Sequence, residues 1–313
     1  MESSFSKNSR SKEDKMSLNI HNMRYLMRVY PDGTRLASSN FDPLLYWRRG
    51  VQMAALNWQT FDLGMQLNRA MFEGGQDSSG YVLKPPELRE FQVQPFNQDI
   101  AGGKKERSVV SFSIDMLSAQ QLMRPANLAA SKSMDFYVEV EIFHANDKRD
   151  KKEDPADSIG DTDTPLKFQT EVIRENGFSP LFMSGQFKFK VVTKHPELVF
   201  VRWSVKLSND GESYSTKDRP PIASYTAKLC NLKKGYRTLP LLNHAGDQYL
   251  FSTLFCKIQM GEIEKTLIDA PRPVQDGGKL NRLGGKVFGR SNTSPRSTFE
   301  KTTVEKTSFE SFS

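Results

Sequence analysis

The chain has 313 residues, a length that suggests two domains with extensions. Hydrophobic residues make up 37% of it, so we expect part of the length to stay outside a packed core, and the net charge of +7 favours negatively charged partners. The two cysteines, Cys230 and Cys256, have no CxxC spacing, which excludes a disulfide scaffold and a four-cysteine zinc site and favours a reducing, intracellular compartment.

Any membrane contact is expected to be peripheral. No apolar run approaches the roughly 18 residues of a spanning helix, and residues 1–7 lack the apolar core of a signal peptide. An anionic membrane and a nucleic acid both fit the positive charge, and so does a soluble protein with a basic tail. The charge alone does not choose between these three interpretations.

Residues 1–90 alternate short apolar runs with segments of helical spacing. The predicted strands are residues 26–30, 53–58 and 81–83. The predicted helices are residues 43–49, with Asp42 as the N-cap, and residues 62–72. This β-α-β-α-β order implies parallel strands. Because ligand chemistry collects where parallel strands end, Arg28 and Tyr30 are candidate site residues.

A change of composition at residues 91–107 predicts a linker, since this segment contains two adjacent glycines and a run of charges. Beyond it the apolar residues alternate with period two. The predicted strands are residues 109–114, 136–142, 187–191, 199–205, 223–225 and 253–258. Such strands, with turns between them, predict an antiparallel β-sandwich. The polar segment 146–165 is predicted to be a mobile loop within it.

Residues 263–313 are rich in Gly, Ser, Thr, Arg and Lys, and we expect them to be disordered. Between Arg272 and Arg296 they carry six Lys or Arg and one acid, Asp276. Such a tail could hold an anionic leaflet, at about 1 kcal/mol per basic residue near the surface. A solvated tail without a partner fits the composition at least as well.

Four motifs resemble the second catalytic block, the Y box, of the eukaryotic phosphoinositide-specific phospholipases C. They are RVYP-x-G-T-R at residues 28–35, SSNFDP at 38–43, W-x-x-G-x-QM-x-ALNWQT at 47–60 and GYVLKP at 80–85. All four occur in the family's order and at its usual spacing, which makes the match far more specific than any single motif.

The alternating region resembles the C2 domain that follows the catalytic barrel in the same family. The motifs that carry this resemblance are NGFSP at residues 176–180, PELVFVR at 196–202, GYRTLPL at 235–241 and TLF at 253–255. The order of barrel block, linker and C2 domain supports both resemblances together.

The resemblance implies calcium-dependent hydrolysis of phosphatidylinositol 4,5-bisphosphate to diacylglycerol and inositol trisphosphate at the mouth of a TIM-like barrel. A base must deprotonate the inositol 2-hydroxyl, an acid must protonate the leaving group, and cations must hold the phosphates. In the family the catalytic histidines and the calcium-binding carboxylates come from the X box, which precedes the Y box. We find no X box in this sequence and no catalytic residue. The histidines expected to be structural are His21, His144, His195 and His244.

The resemblance assigns substrate contacts to three residues. Arg28 matches the arginine that contacts an inositol phosphate, a role that suits a permanently charged guanidinium with a fork of donors. Tyr30 matches the aromatic residue that packs on the inositol ring. Ser4 matches the substrate-contacting serine, although its spacing to Arg28 is a little shorter than in the family.

Structural alternatives exist for these residues. Arg28 could pair with a carboxylate at the barrel rim, and Tyr30 could belong to the core. Asn57, Gln59 and Lys84 are expected to be structural caps at strand ends.

Calcium-binding C2 domains place acidic side chains on two loops, because calcium prefers several carboxylate oxygens. Asp135 lies at the first-loop position and is the candidate metal ligand. On the other loop the expected acids are replaced by residues 206–208, KLS, and Asn209, Asp210 and Glu212 are out of register. The sequence therefore favours a packing role or a weak lipid contact for this sandwich.

The sequence as a whole predicts an α/β plus all-β chain with four parts. Residues 1–90 form half of a TIM-like (β/α) barrel, residues 91–107 a linker, residues 108–262 a C2-type sandwich and residues 263–313 a disordered basic tail. The expected partners are a phosphoinositide lipid, the inner membrane surface reached from the cytoplasm, and the missing X-box half. Calcium is the expected cofactor by family, and nucleic acid is not expected.

Three strands cannot close an eight-stranded barrel, so apolar faces and a sheet edge would stay exposed in this chain. Either the chain is a fragment or truncated product, or its other half is supplied in trans, and we favour the first. In both cases the chain alone is expected to be inactive. The alternative function is a non-catalytic lipid-binding or regulatory module.

Overall fold

The computed structural model describes residues 2–7, 11–74, 79–90, 104–126, 128–129, 131–145, 166–208, 214 and 220–269. The loop predicted at 146–165 and most of the predicted tail lie outside these residues. So do Asn209, Asp210 and Glu212, and the first residues of the predicted linker.

The amino-terminal part contains a two-stranded parallel sheet. Strand β1 (Arg28–Val29) pairs with β2 (Met53–Ala54), with Arg28 opposite Met53. The predicted parallel pairing is therefore confirmed, although both strands are shorter than predicted. The prediction of a third strand at 81–83 is wrong. These residues pair with no strand within the described part of the chain, and Tyr81 is 86% exposed.

Helices flank the short sheet. The helix bounds are α1 (Glu2–Lys7), α2 (Lys12–Arg24), α3 (Leu44–Trp47) and α4 (Leu63–Phe72). The two predicted helices are confirmed as α3 and α4. The N-cap of α3 is Pro43 rather than the predicted Asp42, although Asp42 accepts a hydrogen bond from the Leu44 amide at 3.0 Å. Asp62 caps α4 through the Met65 amide at 3.2 Å.

Helix α2 was not predicted from the sequence. Its start carries a capping box, in which Ser11 accepts from the Asp14 amide at 3.0 Å and Asp14 accepts from the Ser11 amide at 3.3 Å. The helix has almost no apolar stripe, and periodicity therefore gave no signal for it. The capping box was the signal that could have located it.

The second part is an eight-stranded sheet in the order β5-β4-β7-β8-β9-β10-β3-β6, with antiparallel neighbours throughout. The strand bounds are β3 (Lys104–Gln120), β4 (Phe136–His144), β5 (Lys167–Gln169), β6 (Gln186–Thr193), β7 (Val199–Leu207), β8 (Ala223–Lys228), β9 (Gly235–Leu242) and β10 (Gln248–Asp269). Alternate residues of these strands fill one apolar core around Trp203, Phe136 and Leu254, as the period-two pattern predicted.

Strands β3 and β10 form a ladder that extends past the predicted limits of the sandwich. Glu106 pairs with Leu267, and Val109 pairs with Glu264. Residues 104–107 and 263–269 are therefore strand rather than linker and tail. Polar and charged residues dominate both segments, which hid their strand character from a reading based on apolar alternation.

An apolar cluster joins the amino-terminal part to the sandwich. Its buried members are Leu44, Trp47, Leu67, Ala70 and Met71 from the helices and Phe143, Ala145, Leu198 and Phe200 from the sandwich. The ring centroids of Trp47 and Phe200 lie 6.0 Å apart. Arg69 adds a hydrogen bond of 2.7 Å to the carbonyl of Gly246 in the turn between β9 and β10. The two parts consequently share a continuous apolar contact.

Glu139 on β4 is a buried carboxylate held by cations. It is 1% exposed and lies 2.8 Å from the Lys167 ammonium and 2.7 Å from that of Lys206. Burial raises its pKa, but hydrogen bonds from Lys167, Lys206 and Gln169 outweigh this effect, so that the pKa of Glu139 is lowered overall.

We predict that Glu139→Gln lowers the free energy of unfolding at neutral pH by about 2 kcal/mol, because two cations lose the charge that they surround. The pKa of Glu139 is lower in the folded state than in the unfolded state, where it is about 4.3. The carboxylate therefore stabilises the fold above this unfolded-state pKa, and the stabilisation is lost as the pH falls through the folded-state pKa. The penalty of the substitution should therefore shrink in acid. Urea titrations followed by tryptophan fluorescence at neutral and acidic pH measure it.

The matched control is Glu264→Gln on β10, where the carboxylate is exposed. Its effect should stay within about 0.5 kcal/mol. Equal destabilisation by both substitutions, or a penalty that grows in acid, contradicts the prediction.

Candidate functional site

Arg28 and Tyr30 lie where β1 ends, and both side chains are exposed. The guanidinium carbon of Arg28 lies 5.5 Å from the centroid of the Tyr30 ring, within the range of a cation–π contact. Tyr30 is 38% exposed, so it is not a core residue. The structure thus places a cation and an aromatic face side by side and open to solvent, a combination that can hold an anionic ring.

Helix α1 is fixed against the residues that follow β1. The Glu2 carboxylate accepts from Nε of Arg35 at 2.8 Å and from Nη2 at 2.5 Å, and the Glu2 amide donates to the Tyr30 carbonyl at 3.1 Å. The hydrogen bonding of the Arg35 guanidinium to the Glu2 carboxylate raises the pKa of Arg35. Ser4 is exposed on α1 and is thereby brought to the same end of β1 as Tyr30.

Asp32 strengthens this arrangement. Hydrogen bonds from the Ser3 hydroxyl and then from Thr34 lower the pKa of the Asp32 carboxyl, which accepts from the Thr34 amide at 3.2 Å. The pairing between Glu2 and Arg35 could not be predicted, because two oppositely charged residues far apart in a chain carry no local signal. The roles of Glu2, Asp32 and Arg35 were therefore missed.

Several motif residues hold loops rather than ligands. Asn40 accepts from the Asn57 amide at 2.6 Å, and Asn57 donates to the Ser38 carbonyl at 3.1 Å. Lys84 donates to the Asn22 carbonyl at 2.6 Å, and burial lowers its pKa. These contacts agree with the structural roles expected for Asn57 and Lys84.

The four histidines lie in four different segments of the chain and in different surroundings. His144 and His195 are buried, and burial lowers the pKa of His195 to about 3, with the charges of Lys194 and Arg107 adding to the effect. This imidazole is therefore neutral at physiological pH. His21 and His244 are exposed. A structural role for all four stays the prediction.

Asp135, the candidate metal ligand, accepts hydrogen bonds from neighbouring protein groups. Its carboxylate oxygens accept from the Ser133 hydroxyl at 2.6 Å and from the Glu175 amide at 3.0 Å. Among the described residues, no group of three or more His, Cys, Asp or Glu side chains could hold a metal ion. Calcium needs several oxygen ligands, and the described part of this chain does not assemble them.

An apolar cavity of about 880 Å³ opens on the amino-terminal part. It is lined by β2, by the end of α4 and by residues 80–85, and it includes Trp58, Tyr81 and Leu83. These three side chains are strongly exposed. The cavity is therefore a surface that lacks a covering layer within the described chain.

Comparisons with known proteins agree with these features. Residues 1–87 match the family model of the phosphatidylinositol-specific phospholipase C, Y domain. A 1-phosphatidylinositol 4,5-bisphosphate phosphodiesterase 1 from Candida albicans is 38% identical over 256 residues, which cover 80% of this chain and 23% of that protein. The 1-phosphatidylinositol 4,5-bisphosphate phosphodiesterase delta-4 of Xenopus laevis is 35% identical over 257 residues, covering 82% of this chain and 29% of that one.

A solved structure shows the same architecture. The crystal structure of S. officinalis PLC21 aligns with a TM-score of 0.58 and 29% identity over 81% of this chain and 28% of that chain. This chain spans less than a third of the length of each of these proteins.

The short parallel sheet and the antiparallel sandwich joined to it define the class as a segment of a (β/α) barrel protein with a C2-type domain. Residues 1–87 match the Y domain of the phosphatidylinositol-specific phospholipases C, and the similarity to a 1-phosphatidylinositol 4,5-bisphosphate phosphodiesterase extends over 80% of the chain.

We predict that Glu2→Gln releases α1 from the end of β1, because an amide cannot form the ion pair with Arg35. The Glu2 backbone amide should then exchange its hydrogen about tenfold faster, which corresponds to about 1.4 kcal/mol of lost protection. Hydrogen exchange read by NMR measures this rate. Glu13→Gln on α2, an exposed residue, is the control, and an equal increase in both variants contradicts the prediction.

Proposed function

We propose that this chain is the Y-domain and C2-type part of a phosphoinositide phospholipase C that hydrolyses phosphatidylinositol 4,5-bisphosphate to diacylglycerol and inositol trisphosphate. Within that enzyme the chain grips the headgroup. Arg28 holds an inositol phosphate, Tyr30 packs on the inositol ring and Ser4 donates a further hydrogen bond. The chemistry itself falls to catalytic histidines outside this chain.

The observation that supports this role best is the exposed pair of Arg28 and Tyr30 at the end of β1. A guanidinium forms two parallel hydrogen bonds with a phosphate, and an aromatic face covers the apolar side of an inositol ring. The clamp between Glu2 and Arg35 keeps α1 beside this pair. The relatives in Candida albicans and Xenopus laevis are named for this lipid.

The X-box half of the barrel is the partner that the apolar cavity fits. Cavity residues such as Trp58 and Leu83 are exposed next to the open edge of a two-stranded sheet, and closing a barrel would bury both the side chains and the edge. The same partner would supply the carboxylates that hold calcium, and calcium bound there would supply Lewis-acid chemistry to the site.

The place of action proposed for the chain is the inner membrane surface, reached from the cytoplasm as a peripheral protein. No helix in the described residues is both long and apolar enough to cross a bilayer. The headgroup contacts and the C2-type sandwich are the features that support surface binding.

We predict that the purified chain alone does not hydrolyse phosphatidylinositol 4,5-bisphosphate in the presence of calcium, because the proposal places the catalytic base and acid outside this chain. Coexpression with an X-box fragment of a family member should restore turnover, measured as released inositol trisphosphate. Robust turnover by the chain alone contradicts the division of roles. Binding of the lipid without turnover, even after coexpression, favours the non-catalytic module.

In the reconstituted enzyme, Arg28→Ala should lower kcat/KM about tenfold to a hundredfold, since a charge-assisted contact to phosphate is lost. Arg89→Ala, another arginine of the amino-terminal part, whose Nε donates to the Lys84 carbonyl, is the control. An equal loss in both variants assigns Arg28 a structural role instead.

We further predict that Trp58→Ser combined with Leu83→Ser weakens capture of the X-box fragment at least tenfold, because both side chains lose the apolar area that the partner would bury. Pull-down of the coexpressed fragment measures this. Leu36→Ser is the matched control, since Leu36 is 97% exposed and lies outside the cavity. Unchanged capture by the double variant rules the cavity out as the docking surface.

A further inference from the structure

The segment that leads from α2 into β1 is hydrogen-bonded to one glutamine side chain. Gln52, the residue before β2, donates through Nε2 to the carbonyl of Asn22 at 2.7 Å and to that of Tyr25 at 3.1 Å. Its Oε1 accepts from the Met27 amide at 3.0 Å. One side chain therefore contacts three backbone groups between the last turn of α2 and the residue before Arg28.

A part-buried ammonium binds the same turn of α2. Nζ of Lys84 donates to the Asn22 carbonyl at 2.6 Å and to the Gly50 carbonyl at 3.4 Å. Asn22 is fully buried, and its side-chain amide donates to the Arg49 carbonyl at 2.9 Å. A cation at this end of a helix also faces the negative pole of the helix dipole. The carboxyl end of α2 is thus fixed to the residues that precede β2.

Backbone hydrogen bonds continue the connection into β1. The Met53 amide donates to the Met27 carbonyl at 3.2 Å, and the Ala55 amide donates to the Val29 carbonyl at 2.8 Å. These two bonds lie on either side of Arg28, whose partner in the parallel pair is Met53. A ladder with two residues in each strand gives little stability of its own. The side-chain hydrogen bonds of the glutamine supply what so short a ladder lacks.

We propose that Gln52 and Lys84 are positioning residues for Arg28. Gln52 fixes the backbone immediately before Arg28, and Lys84 fixes the helix end to which Gln52 is also bonded. Both side chains act through Arg28, by keeping its guanidinium beside the Tyr30 ring in a geometry prepared for a phosphate. The inference rests on the proposed function only for the identity of the ligand.

Solution NMR of the full chain without ligand tests this placement. Gln52→Met keeps the length of the side chain and removes its three hydrogen bonds, so the Met27 amide should exchange about tenfold faster. The ring current of Tyr30 shifts the Arg28 Hδ resonances upfield. This shift should be largely lost in Gln52→Met and in Lys84→Met, whereas Lys84→Arg, which keeps a cationic donor, should retain it.

The matched control is Gln66→Met. Gln66 is also buried, and its Nε2 donates to the Phe61 carbonyl at 3.3 Å, so this substitution likewise removes a hydrogen bond from a side chain to the backbone. It should leave the Arg28 shift unchanged, because the lost bond lies at the start of α4 rather than at β1.

An unchanged Arg28 shift in either Gln52→Met or Lys84→Met, or an equal loss in Gln66→Met, overturns the proposal. If Gln52→Met does not fold, the comparison of Lys84→Met with Lys84→Arg decides.

A double-mutant cycle separates positioning from general stabilisation. The probe is soluble inositol 1,4,5-trisphosphate titrated into the full chain. Gln52→Met and Arg28→Ala should each weaken binding about tenfold, and the double variant should bind no more weakly than Arg28→Ala, because Gln52 acts through Arg28. Additive losses overturn the proposal. Absence of binding by the unsubstituted chain counts against the proposed function, whereas the ligand-free shifts still decide the role of Gln52.

Discussion

The amino-terminal part depends on its apolar contact with the sandwich. A parallel sheet with two residues in each strand is too small to stand alone. What holds it is the burial of α3 and α4 against β4 and β7, where Trp47 packs between Phe72 and Phe200. The position of Arg28 and Tyr30 depends on this contact, because it anchors the helices that support β1. The sandwich is therefore part of the scaffold of the site.

The amino-terminal part has a second apolar face, at the cavity, which differs from the face that packs on the sandwich. Leu67 is fully buried against the sandwich, whereas Trp58 and Leu83 remain exposed at the cavity. Exposing such side chains costs solubility, so a chain keeps them when a partner covers them. One face is thus complete within this chain, and the other has the chemistry of an interface.

The sequence predicted those features that arise from local pattern. Asp62 and the spacing that follows it located α4, and alternation located most strands of the sandwich. Prediction from the sequence failed where a structural feature is stabilised by tertiary contacts. Tyr81 to Leu83 has strand residues but no neighbouring strand, and the ion pair between Glu2 and Arg35 joins residues that no local pattern connects. Arg28 and Tyr30 were found through motif resemblance, which encodes tertiary information that periodicity does not carry.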